Sequence, residues 1–161
     1  MPIPVHDQHL DADRAAIERV MSADSSLTSE GDTSPEVQAI DPSVFDQFRQ
    51  AGPRAEAFIV RIISEYVEES SSRMTDLKDA SVRADAPALR RVAHGLKGAS
   101  STVGAARLAA ICGELETRAL EGTLDGTGVL AAAAEREFAR VCDALGAEQQ
   151  KAAAGGSDRG R

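Results

Sequence analysis

The sequence contains no tryptophan, a single tyrosine and four phenylalanines. So thin an aromatic supply argues against a sheet core, which draws on aromatic and β-branched side chains. Alanine and leucine carry most of the apolar mass instead, and both suit close-packed helices. Cysteine is scarce too, with Cys112 and Cys142 alone. A disulfide or metal framework needs more cysteines at tighter spacing, so both read as small core residues within apolar helical patterns. Basic residues are outnumbered, 18 Lys and Arg against 26 Asp and Glu, for a formal net charge of −8. That balance argues against general nucleic-acid binding, which must neutralise phosphates, while leaving room for a local basic patch. No apolar run approaches the roughly 20 residues that span a bilayer. The segment Met1 to Leu10 lacks the basic and apolar parts of a signal peptide. A cytoplasmic protein is expected, or a cytoplasmic piece of something larger, with neither nucleic acid nor membrane as a partner.

What is present is helical periodicity. Residues 1–40 form an acidic, flexible N-terminal extension poor in large apolar groups, and Ser22 to Pro35 has the composition of a linker. Within it, Leu10, Ile17 and Val20 give weak support for a short helix over Asp11 to Met21. Asp41-Pro42 then reads as a cap with proline in the first turn, and Gly52-Pro53 ends that helix. A longer helix is predicted from about Arg54 to Ser81, where Ile59, Ile62, Ile63, Tyr66, Met74 and Leu77 recur at helical steps. Asp85-Ala86-Pro87 opens another, running to about 101, and a further one spans 105–120 and stops at Gly122. The last begins after Thr127 and is predicted to end near Gly146, leaving residues 148–161 as a disordered tail. Short connections between long amphipathic helices imply antiparallel neighbours. The expected fold is all-α, an antiparallel up-down four-helix bundle over 41–147 with an additional short N-terminal helix.

The informative segment runs from Leu89 to Ala105. On a helix, Leu89, Val92, Ala93, Leu96, Ala99 and Val103 share one stripe, the core side. His94, Lys97, Gly98 and Ser101 fall on another, with Arg90 and Arg91 one turn earlier. His94 therefore points away from the core. Gly98 sits four residues further on the same face, although glycine within a helix costs about 1 kcal/mol relative to alanine. Its lack of a side chain leaves room beside the imidazole, and Lys97 can reach a charged group on that ring. An exposed imidazole with space beside it and cations nearby suits a phosphoryl group; an idle histidine on a solvated basic face is the competing reading. His6 and His9 form His-x-x-His near the N-terminus, where two solvated residues are favoured over a metal site.

Ala93-His94-Gly95-Leu96-Lys97-Gly98-Ala99-Ser100, then Val103-Gly104-Ala105 and the stretch Leu108 to Glu116 with its Leu115-Glu116 pair, resembles the signature of the histidine-containing phosphotransfer (HPt) family. The resemblance extends over about residues 41–146 and departs at Gly95, where a polar residue often follows the histidine. It implies a four-helix bundle in which His94 accepts the phosphoryl group, Lys97 stabilises it and Gly98 gives access to the incoming partner. Glu116 matches a position that in some members orients the histidine ring, with an ordinary surface glutamate as the alternative. Arg90, Arg91 and Ser101 are docking candidates. The implied partners are receiver domains of response regulators or of a hybrid histidine kinase, which would bring Mg²⁺; this chain is expected to bind no metal or cofactor and to be a monomer. Two competing functions stay open: an adaptor that docks without being phosphorylated, and the phosphoacceptor module of an autophosphorylating kinase. Gly95 weighs against the second, because such modules usually place an acidic residue after the histidine.

Overall fold

The structure, a computed structural model, describes residues 37–158. His6, His9 and the short helix expected over 11–21 lie outside the described residues. Asp41 accepts the Ser43 backbone N–H through Oδ1 at 2.9 Å, satisfying a donor that a helix start would otherwise leave orphaned. Behind that cap runs α1, Ser43–Gln50, which buries Phe45. Helix α2, Ala55–Val82, buries Ile59, Ile63, Tyr66, Met74 and Leu77 at three- and four-residue steps. Asp85 caps α3, Ala86–Thr102, by accepting from Ala88 N at 3.0 Å, with Pro87 in the first turn. Helix α4, Ala106–Glu121, ends on Gly122 in the left-handed conformation at φ 73°. Helix α5 spans Thr127–Asp158. No strand occurs among the described residues. The fold is all-α, four long helices and the short α1, and no described helix is long and apolar enough to cross a membrane.

The C-terminus corrects one expectation. Residues 148–158 continue α5 instead of forming a disordered tail, and Gly146 does not end the helix. The physical reason lies across the bundle. Glu148 is 4% exposed and accepts from Arg49 of α1 at 2.9 Å. Gln149 reaches Ser64 of α2 at 2.9 Å, and Ala152 is buried. These contacts and the alanines at 152–154 outweigh the penalty of about 1 kcal/mol for one helical glycine.

Side-chain pairings show the helix directions. On α2 the partners Ser64, Lys78 and Ser81 meet Gln149, Glu135 and Thr127 of α5, rising numbers against falling ones. His94 and Lys97 of α3 both meet Glu116 of α4, while Arg118 at the end of α4 donates to the carbonyl of Asp125 just before α5. The long helices thus run up and down in turn, and their facing stripes make one core from residues such as Leu77, Leu89, Leu96, Leu108 and Leu115.

The turn from α3 into α4 holds the bundle's tightest backbone contact. Gly104 has φ 75°, and its carbonyl accepts the Asp41 N–H at 2.9 Å. A Cβ there would stand 3.1 Å from the Asp41 backbone N and O. Gly104→Ala should therefore lose about 2 kcal/mol or more of stability, from left-handed strain and overpacking together. Urea unfolding followed by circular dichroism measures this, and an unchanged midpoint would remove the assigned constraint.

Candidate functional site

Helix α3 presents two faces. Leu89, Ala93, Leu96, Ser100 and Val103 are 0–1% exposed and form its core side. Val92 and Ala99, expected in that stripe, are only half-buried, and Ser100 lies in the core in their stead. A serine is tolerated there because its Oγ lies 3.2 Å from the Tyr66 hydroxyl of α2, so neither buried group is unpaired. On the opposite face lie Arg90, Arg91, His94, Gly98 and Ser101, all exposed. The side chain of His94 is 70% exposed.

Two of the expected site residues converge on the carboxylate of a third. The His94 ring meets Glu116 Oε1 through Nδ1 at 2.7 Å, and Lys97 Nζ donates to Glu116 Oε2 at 2.7 Å. Glu116 comes from α4, and its side chain is only 18% exposed. The Lys97 ammonium, first, and then the His94 ring hold its carboxyl below the usual glutamate value. Glu116 is therefore ionised at neutral pH and can only accept hydrogen bonds. Nδ1 must carry the ring proton, which leaves Nε2 with its lone pair facing outward.

Two further residues matter, one of them missed by the sequence reading. Gly113 of α4 packs under Lys97: a Cβ at 113 would lie 3.4 Å from Lys97 Cδ. The lysine stem crosses α4 at this point on its way to Glu116, and a Cβ there would only touch it in ordinary van der Waals contact; a pairing between helices was the only signal that could have revealed the approach. Gly98 was expected, and among the described residues, its own helix backbone aside, no atom lies within 4 Å of where its Cβ would be. Nothing among the described residues requires a glycine there. Ser101 Oγ donates back to the Lys97 carbonyl at 2.9 Å. Arg90 and Arg91 stand exposed one turn before His94, on a helix that carries no acidic residue.

The cysteines take no part. Cys112 is buried in the core, and burial pushes its thiol up to about 12. Cys142 is only half-buried, short of the expected core placement, and burial raises its thiol as well. Among the described residues no group of three or more His, Cys, Asp or Glu could hold a metal ion. Both Glu116 oxygens are already engaged by cationic or ring partners, which makes this carboxylate a poor Mg²⁺ ligand.

A direct consequence concerns the imidazole tautomer. In ¹⁵N-detected NMR of the neutral ring, His94 should show Nδ1 protonated and Nε2 bare. Glu116→Ala should shift the ring towards the tautomer mixture of a free imidazole. The same tautomer in both proteins would mean that Glu116 does not orient the ring.

Comparison with known proteins supports the same family from independent directions. No curated protein matches the chain. The Hpt domain family matches residues 61–149, from the second turn of α2 into the last third of α5, a span that contains the entire site. Among solved structures, the crystal structure of histidine-containing phosphotransfer protein B from Pseudomonas aeruginosa PAO1 is similar, with a TM-score of 0.63 and 32% sequence identity. The match covers 74% of this chain and 98% of that one. With the family match spanning more than half of the chain and a solved relative 32% identical, the chain belongs to the Hpt domain family.

Proposed function

We propose that this chain is a phosphorelay carrier that accepts a phosphoryl group on His94 Nε2 from the aspartyl phosphate of one receiver domain and passes it to the aspartate of another. The observation that carries this reading is the 2.7 Å contact between Glu116 Oε1 and Nδ1 of a His94 side chain that is 70% exposed, an arrangement that favours the proton on Nδ1 and Nε2 as the nucleophile. In the first transfer the Nε2 lone pair forms the N–P bond while the bond from phosphorus to the aspartyl oxygen breaks. The electron pair leaves with that oxygen, regenerating a carboxylate. The ring keeps its Nδ1 proton, and the adjacent Glu116 charge offsets the positive charge the ring acquires. In the second transfer a receiver carboxylate attacks phosphorus and the N–P pair returns to Nε2.

Phosphoryl transfer is mostly positioning and charge stabilisation. Lys97 supplies a cation one helical turn from the acceptor, and its contact with Glu116 keeps it at the site before the phosphoryl arrives. Mg²⁺ belongs to the receiver in this scheme, where it neutralises the equatorial oxygens. Gly98 leaves a gap beside the ring for the partner's surface, and Arg90, Arg91 and Ser101 line the approach. The carrier acts as a monomer, since each site is complete within one chain.

The decisive experiment mixes the protein with a phosphorylated receiver domain and asks for a label that is acid-labile and alkali-stable. The label should appear on the native protein and be absent from His94→Gln; a retained label would move the acceptor elsewhere. A second variant isolates access. Gly98→Gln should leave helicity intact and stabilise the bundle by up to about 1 kcal/mol, since the site is empty and glutamine is the better helix former. It should nonetheless abolish transfer from the receiver. Normal transfer by this variant would show that the gap is not needed.

A further inference from the structure

Immediately after His94, Gly95 holds a second cationic side chain against the acceptor helix. A Cβ on Gly95 would lie 3.1 Å from Arg73 Nη1 and 3.4 Å from Arg73 Cζ, so the guanidinium of this α2 residue lies over the bare backbone of α3. Arg73 Nη2 donates to Glu69 Oε1, one turn earlier on α2, which steers the planar group towards that position. The Nη1 edge remains over Gly95, and the side chain is 35% exposed. Glycine is a poor helix former, and this one is filled from a neighbouring helix, unlike Gly98, whose space is open.

The placement gives His94 cations on both flanks. Lys97 and Glu116 lie on the side shared with α4; Arg73 lies on the side shared with α2. Between them, α3 carries Arg90, Arg91 and Lys97 and no acidic residue, in a chain whose net charge is −8. Arg73 and Lys97 are each paired with a glutamate, Glu69 and Glu116, so the unbalanced positive charge of this face comes from Arg90 and Arg91, and it favours an anionic partner here. An aspartyl phosphate donor is such a partner: its phosphoryl is anionic, and the carboxylates that hold its Mg²⁺ surround it.

We propose that Arg73 is a docking residue for the acidic phosphoryl-donor face of the receiver domain, held beside His94 by the absence of a side chain at Gly95. The assignment rests on the carrier function proposed above. Arg73 touches neither the reacting nitrogen nor phosphorus; it acts by steering and holding the partner. A planar guanidinium can also bind a receiver carboxylate through two parallel N–H donors, which a lysine cannot.

The test measures transfer from a receiver domain phosphorylated with acetyl phosphate, over a range of receiver concentrations and at low and high NaCl. Arg73→Glu should slow transfer at low salt by about tenfold or more, with the loss in the receiver concentration needed for half-maximal rate. Raising NaCl to about 1 M, where the screening length falls to roughly 3 Å, should bring native and variant rates together. Arg73→Lys should recover most of the rate, and circular dichroism should show the same helicity for all three proteins. Native rates in Arg73→Glu, or a deficit that salt does not change, would overturn the assignment. A separate arm treats the native protein and His94→Gln with phosphoramidate, a small donor that needs no docking surface. Should the native protein take no label there, the carrier reading itself fails; a labelled native protein with an unimpaired Arg73→Glu variant removes only the docking role.

Discussion

One carboxylate organises the site. Glu116 receives the ring Nδ1 of His94 on one oxygen and the ammonium of Lys97 on the other, each at 2.7 Å. The first contact favours the ring tautomer protonated on Nδ1; the second keeps a cation within a turn of the ring. Because Lys97 and then His94 hold the Glu116 carboxyl below its ordinary value, the negative form is the one present throughout the neutral range. The sign follows directly: a carboxyl depressed in the folded state contributes its stabilisation above the unfolded pKa and loses it as pH falls through the folded one. The clamp is thus an acid-sensitive feature, set at neutral pH and released only as the solution becomes strongly acidic.

That clamp spans two helices, so it depends on their register. Antiparallel α3 and α4 place residue 94 opposite 116 and residue 97 opposite 113, and a shift by one residue would turn Glu116 away from the ring. Register is held by the tight turn at Gly104, which also receives the Asp41 backbone, and by the buried stripes that meet between the helices. Helix α5 backs the bundle along the full length of α2, from Thr127 near Ser81 to Gly155 against Glu56. The core does the stabilising work here; exposed ion pairs such as Lys78 with Glu135 contribute at most about 1 kcal/mol each.

The electrostatic design separates the whole from the part. The chain carries a net charge of −8, while the helix that bears His94 holds Arg90, Arg91 and Lys97 and no acidic residue. The two glycines that flank the site work in opposite ways. Gly98 leaves its space vacant, and Gly95 has its space occupied by the Arg73 guanidinium.

The sequence by itself determined the helices and the face on which His94 lies. Apolar residues at helical steps, Asp85 with Pro87 at one end and Gly122 at another, marked elements over 86–101 and 105–120 that lie within one residue of the observed spans. The histidine's exposure was legible because periodicity alone sorts a helix into faces. Three things were decided only by tertiary structure. Helix α5 runs past Gly146 because α1 and α2 offer partners to Glu148, Gln149 and Ala152, and local propensity cannot see them. Ser100 is buried because Tyr66, 34 residues earlier, supplies its hydrogen bond. Gly113 and Arg73 bear on the site through contacts between helices, Lys97 over one and Gly95 beneath the other. Spacing along one helix reports which face a residue occupies, but the side chain it meets there is set by the register of another helix, which no single segment encodes.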